Sequence, residues 1–121
     1  EPHVAQVRAE RSLEIARGAE MATAEALARR ALGWIAALSG EVGTLARADA
    51  HLTESITALQ TAPERDELAN SLRARAFVRS RAGDASGAAR DLAGARAIYV
   101  ELGMAGRLAT LDAPLESWAC F

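Results

Sequence analysis

Four positions in this chain return at one fixed distance. Gly43, Ala48, Leu52 and Ser55 are matched by Gly83, Ala88, Leu92 and Ala95, every pair 40 residues apart. The helices before them match at an offset of 43, with Leu27-Ala28 falling near Asn70-Ser71 and Gly33-Trp34 on Ala76-Phe77. A repeat of that length, with small and apolar residues at helical spacing, describes a helix hairpin that cannot bury its own apolar face and must stack on its neighbours. Composition agrees. The 121 residues hold 30 Ala and 14 Leu against 2 Phe, 2 Trp, 1 Tyr and 3 Pro, a mixture of strong helix formers with few strand-favouring residues. The expectation is an all-α fold, a right-handed stack of antiparallel helix hairpins in a single domain over residues 1–121.

Gly and Pro mark where helices stop. Breaks are expected near Gly40 to Gly43, near Pro63, at Gly83-Asp84 and at Leu102-Gly103. From about residue 4 to 18, Ala5, Ala9, Leu13 and Ala16 form one apolar stripe; from about 23 to 39, Leu27, Ala31, Trp34, Ile35 and Leu38 form another. The helix over 44–60 carries Leu45, Ala48, Leu52, Ser55, Ile56 and Leu59, and the helix over 85–101 carries Ala88, Leu92, Ala95, Tyr99 and Leu102. Over 64–82, Leu68, Leu72 and Ala76 share one face while Ala74, Phe77 and Val78 lie on another, the pattern of a helix sandwiched between neighbours. A short helix with Leu108 and Leu111 follows Gly103, and Pro114 can open a last turn carrying Leu115 and Trp118. The chain divides into a half repeat at 4–20, whole repeats at 22–60 and 64–102, and a capping helix and tail at 104–121.

The stretch Leu68-Ala69-Asn70-Ser71-Leu72 through Arg81-Ala82-Gly83-Asp84, then Ala88, Leu92, Ala95 and the ending Ile98-Tyr99-Val100-Glu101-Leu102-Gly103-Met104, resembles a tetratricopeptide repeat. Gly-Asp between the helices and small residues where the hairpin arms cross belong to that family's pattern. So do a large apolar residue four after the first Ala and another Ala three later. The long period and the Leu-Gly-Met ending are similar to the degenerate repeats of bacterial signalling proteins, among them large ATP-dependent LuxR-type activators. The resemblance implies a TPR-like α-solenoid acting as a protein-interaction module, with its first hairpin arms on a concave face, inside a larger bacterial signalling or transcription-regulating protein. Arg75 and Arg79 depart from the pattern, standing where the repeat usually has large apolar residues.

Residues suited to catalysis do not assemble in this sequence. His3 and His51 have no Cys, Asp or Glu at metal-ligand spacing, and the carboxylates are spread along helical faces beside Arg. No serine has a nucleophile-elbow context. A phosphate loop ending in Lys cannot occur, because all 14 cations are Arg. The expectation is no enzyme, no cofactor and no metal. Cys120, the one cysteine, makes no intrachain disulfide. A net charge of −2 and a pI of 5.7 give no overall field for phosphate backbones, so nucleic acid ranks last among partners. No apolar run is long enough for a membrane span and no leader pattern opens the chain, so a cytoplasmic location is expected.

The strongest cluster is Arg73, Arg75, Arg79 and Arg81 with Asn70 and Phe77, on the first arm of the second repeat. Arg forks take carboxylates through two hydrogen bonds at once. Arg30 lies 43 residues before Arg73, as Trp34 does before Phe77, so two Arg–aromatic pairs can line one groove. The candidate partner-binding face is therefore Arg30, Trp34, Asn70, Arg73, Phe77 and Arg81. Its expected occupant is a protein or peptide, in particular an acidic segment. A peptide- or metabolite-sensing domain using the same face is the alternative, and a helical nucleic-acid binder the third. Against the groove, Trp34 shares a core stripe with Leu27, Ile35 and Leu38, Phe77 fits a core, and Arg75 and Arg79 can pair with Glu64, Glu67 or Asp91. An unmated helix at 4–18 and the apolar tail Leu115, Trp118 and Phe121 predict a weak homodimer through one end of the stack. Together with the start at Glu1, the unmated arm predicts a piece of a longer chain.

Overall fold

Small residues decide how closely the helices meet. The structure is a computed structural model that describes residues 2–38 and 42–113. Among these the chain forms α1 (Pro2–Leu38), α2 (Val42–Leu59), α3 (Arg65–Arg81), α4 (Ala85–Glu101) and α5 (Ala105–Leu111), with no strand, so the all-α expectation holds. α2 runs back along α1: Ser55 Oγ donates to the Ala26 carbonyl at 2.7 Å. A Cβ added to Gly33 would stand 2.8 Å from Leu52 Cγ and 3.3 Å from the Ala48 carbonyl oxygen, so only glycine allows that approach. α3 reverses again, with Ser71 Oγ 3.0 Å from Ser55 Oγ and Arg79 on Asp49. α4 reverses once more, with Arg75 on Asp91 and Tyr99 on Asn70. α1 and α3 consequently run parallel, Arg30 reaching Glu67 and Trp34 meeting Phe77.

The turns after α3 and α4 are built alike. At the first, Gly83 takes φ +86°, and the N–H groups of Gly83 and Asp84 return to the Ser80 and Arg79 carbonyls at 3.1 and 2.8 Å. At the second, Gly103 takes φ +67°, and Gly103 and Met104 return to Val100 and Tyr99 at 3.1 and 2.9 Å. This left-handed closure satisfies the last helical carbonyls and needs a residue without Cβ. Asp84 also opens α4, its Oδ1 accepting from the Gly87 N–H at 3.0 Å, an N-cap that contributes about 1 kcal/mol. The repeat equates Gly43 with Gly83, but the conformations differ. Gly43 sits inside the first turn of α2 and lacks the positive φ of Gly83. Residues 39–41, where a break was expected, lie outside the described residues.

The core has two clusters, one around Leu52, Ala48, Ala74, Phe77 and Val78, the other around Ile56, Leu59, Leu68, Ile98 and Tyr99. α3 contributes to both, which is why its sequence is apolar on two sides. Each fully buried Leu or Phe here stabilises the fold by roughly 1.5–3 kcal/mol.

Two expectations fail. The two expected helices over 4–18 and from 23 onward are one continuous helix, Pro2–Leu38, so the N-terminal stretch is not the second arm of a hairpin. Gly18 costs a helix interior about 0.5–1 kcal/mol relative to Ala, but without a positive φ or a following Pro it does not end one. The apolar face of the second stretch is partly misplaced. Leu27 and Trp34 are half-buried, Trp34 against the core, but Ala31, Ile35 and Leu38 are exposed, Ile35 by 67%, while Ala26, Gly33 and Ala37 are buried. Backbone approach between α1 and α2 selects a stripe of small residues and leaves Ile35 and Leu38 outside. Leu102, placed on the α4 stripe, is likewise exposed.

Candidate functional site

α3 carries arginines on opposite faces. Arg73 and Arg75 are two residues apart, about 200° around a helix of 3.6 residues per turn. On the side toward α2 and α4, Arg75 grips both oxygens of Asp91, Nε to Oδ2 and Nη2 to Oδ1, at 2.8 Å each. Its Nη1 donates to Thr53 Oγ1 at 3.2 Å. Arg79 reaches Asp49 at 3.0 Å and Asp91 at 3.3 Å. Burial works to lower the Arg79 pKa, but the hydrogen bond and charge of Asp49 and the charge of Asp91 outweigh it and hold the group above its ordinary value. This explains how two arginines occupy places that resemble apolar positions: each is neutralised by an aspartate from a neighbouring helix. Of the pairings expected for them, Asp91 forms. Glu64 accepts instead from Thr23 Oγ1 at 3.1 Å, and Glu67 from Arg30 and Asn70.

On the other face, Arg30 from α1, Asn70 and Arg73 from α3 and Arg107 from α5 line one small cavity of about 70 Å³, with Trp34 as its aromatic wall. Arg73 is only 3% exposed, and its Nη1 donates to Thr110 Oγ1 at 2.9 Å, so α5 fixes the guanidinium. Burial lowers the Arg73 pKa; the like charges of Arg107 and Arg30 add to the effect and Tyr99 opposes it. Asn70 is held at both ends, its Oδ1 accepting from the Tyr99 hydroxyl at 2.5 Å and its Nδ2 donating to Glu67 Oε1 at 2.8 Å. Burial raises the Tyr99 pKa against the pull of Arg73, Arg107 and Arg30. Arg30 is held more loosely. Its Nη1 lies 3.3 Å from the Glu67 carbonyl and 3.5 Å from both Glu67 Oε1 and Ser71 Oγ, long against the roughly 2.7–2.9 Å of a strong charge-assisted bond.

Four of the six residues singled out from the sequence thus converge: Arg30, Trp34, Asn70 and Arg73. Phe77 does not join them as a contact surface. It is 1% exposed in the core, its ring 5.0 Å from that of Trp34 at 48°, so it supports Trp34 from behind. The core pattern wins there because Phe77 falls on the same packed stripe as Ala74 and Val78. Arg81 is exposed with its guanidinium carbon 5.5 Å from the Phe77 centroid, and it borders a different, more open cavity of about 530 Å³ with Leu45, Asp49 and Val78. Arg107 and Thr110 were missed. They lie on a seven-residue helix beyond the second repeat, where no offset of 40 or 43 points back to an arginine.

His51 stands 3.4 Å from Arg29 Nη1 through its Nδ1. Among the described residues no three of His, Cys, Asp and Glu gather as a metal site, and no helix is long and apolar enough to cross a membrane. For the expected homodimer, residues 4–18 are part of α1, while Leu115, Trp118 and Phe121, like Cys120, lie outside the described residues. Comparison with known proteins leaves the cavity to speak for itself: no family model, no curated protein and no solved structure matches the chain.

Proposed function

We propose that this chain is a non-catalytic protein-interaction module, a stack of tetratricopeptide-like helix hairpins that grips an acidic segment of a partner protein. The observation that carries the proposal is the convergence of Arg30, Arg73 and Arg107, from three helices, on one cavity beside Trp34. Guanidinium forks bind carboxylates with two parallel hydrogen bonds, and Arg73 enters binding already ordered by burial and by Thr110, so little side-chain entropy remains to be lost. The alternation of α1 to α4 supports the repeat architecture, and the parallel course of α1 and α3 sets Arg30 and Arg73 on one side of it. The test is fluorescence anisotropy with a labelled peptide of Asp and Glu, compared with its Asn and Gln counterpart. The acidic peptide binds and the amide peptide does not. Equal binding of both, or of neither, refutes the proposal.

A further inference from the structure

The free face of α1 carries an ordered seam. Met21, Ala24, Ala28, Ala31, Ile35 and Leu38 follow one another at alternating spacings of three and four, and all six are exposed. At 100° per residue they centre about 180° around the helix from Ala26, Gly33 and Ala37, the buried stripe on the side of α2. Leu32, also exposed, widens the seam at one edge. Apolar residues exposed singly are ordinary on a protein surface. Six in unbroken heptad order are the a and d positions of a coiled-coil seam, the pattern of a helix that faces another helix. We infer that the seam over residues 21–38 is a dimer interface, taken by the same seam of a second copy of this chain running antiparallel.

The occupant follows from the order of side-chain sizes. The six positions are symmetric about the midpoint between Arg29 and Arg30. A two-fold axis at that point sets Met21 against Leu38, Ala24 against Ile35 and Ala28 against Ala31 of the other copy. Alanine at the centre lets the two backbones approach, and the larger pairs toward the ends fill the space that opens as the helices cross. A parallel pair is disfavoured. Continued toward the N-terminus, the seam positions are Arg17 and Glu14, which a parallel pair would set against their own kind. Two and a half heptads are too few to hold free peptides together. Residues 21–38 are already a helix packed on α2, so pairing has no folding to supply. With three alanines among the six and a length of about 26 Å, the seam makes a concentration-dependent dimer rather than an obligate one. Arg30 is 100° around the helix from Ala31, off the seam. The inference therefore stands independently of the acidic-segment proposal.

Sedimentation equilibrium of the whole chain, from micromolar to millimolar, tests this and is expected to show monomer and dimer with no larger species. Ile35→Glu and Ala28→Glu change exposed positions, where folding tolerates a charge, and each is shown to be folded by its melting curve. Either buries a carboxylate from both copies in the seam and should raise the dissociation constant by about tenfold or more. Val100→Glu, at an exposed apolar position on α4, should leave it unchanged. Direction is read by cross-linking in a Cys120→Ser background, which removes the chain's one thiol. Under mild oxidation, chains with Ala24→Cys should form disulfides with chains carrying Ile35→Cys and not with one another. Antiparallel pairing holds the two copies of position 24 about 16 Å apart along the axis, beyond the reach of a disulfide. A monomer at every concentration overturns the inference. So does a dimer that survives both seam substitutions, or one that Val100→Glu weakens equally. Disulfides among the Ala24→Cys chains alone mean a parallel pair, and species that keep growing with concentration mean an open end-to-end contact; either overturns it. The affinity of Ile35→Glu for the acidic peptide reports the arginine cavity alone, so the two readings fail separately.

Discussion

The two faces of α3 are made from the same residue type and reach opposite electrostatic ends. Toward α2 and α4, Arg75 and Arg79 close on Asp91 and Asp49, and the charges are consumed within the fold. Toward α1 and α5, Arg73 stands beside Arg30 and Arg107, whose like charges oppose its own, and donates a hydrogen bond to the Thr110 hydroxyl. An arginine count cannot separate these cases, because the difference lies in what the neighbouring helices bring: Asp49 and Asp91 to Arg79 and Arg75 on one side, Arg30, itself paired with Glu67, and Arg107 to Arg73 on the other.

The largest effect expected across this contrast is at the residue behind Trp34. Phe77→Ala should lower stability by about 3–5 kcal/mol, the range for emptying a core aromatic site, read as a fall in the urea midpoint. An unchanged midpoint would return Phe77 to the binding face. Next comes the paired side. Asp91→Asn leaves Arg75 and Arg79 facing a neutral amide and should cost roughly 3 kcal/mol, the low end for breaking a buried pair because both arginines retain some solvent. A cost under about 1 kcal/mol would make the network an ordinary surface one. On the cavity side the sign of interest moves from folding to binding. Arg107→Ala should weaken acidic-peptide binding by about 1.5–3 kcal/mol while stability stays within about 0.5 kcal/mol of the parent; a variant that loses stability and keeps affinity would erase the contrast.

The smallest effect appears only in alkali. Burial raises the Tyr99 pKa above 10.0 in the folded chain, so the unfolded chain ionises first as the pH climbs. Below pH 10 the contribution of Tyr99 is fully present; above it stability declines until the folded phenol also titrates. Tyr99 is the single tyrosine, so phenolate absorbance reports it alone, with a higher midpoint folded than in denaturant. Coincident midpoints would show that the phenol is as solvated as in the unfolded chain.

Much of this is legible in the sequence alone. The 43-residue offset brought Arg30 and Trp34 into register with Arg73 and Phe77, and the structure does set Arg30, Trp34 and Arg73 around one cavity. The two-sided pattern of α3 and the Gly83-Asp84 turn were readable for a local reason, since periodicity and a left-handed glycine act within a few residues. What escaped depended on distant partners. Whether Ile35 or Ala37 faces inward is settled by how closely α2 approaches at Gly33, and large apolar residues on the wrong side of that contact look inward from sequence alone. Arg107 was invisible because its helix has no counterpart in the repeat.

The seven residues of α5 are too few to hold a helix on their own. They persist by packing Leu111 into the core and by the Thr110 and Asp112 bonds to Arg73 and Arg96. When α5 opens, the cavity loses Arg107 and Arg73 loses the hydroxyl that orders it, in one event. The amides of α5 should therefore exchange with solvent through local opening, faster than those of α3, and their exchange rate is a clock for how often the cavity exists in finished form.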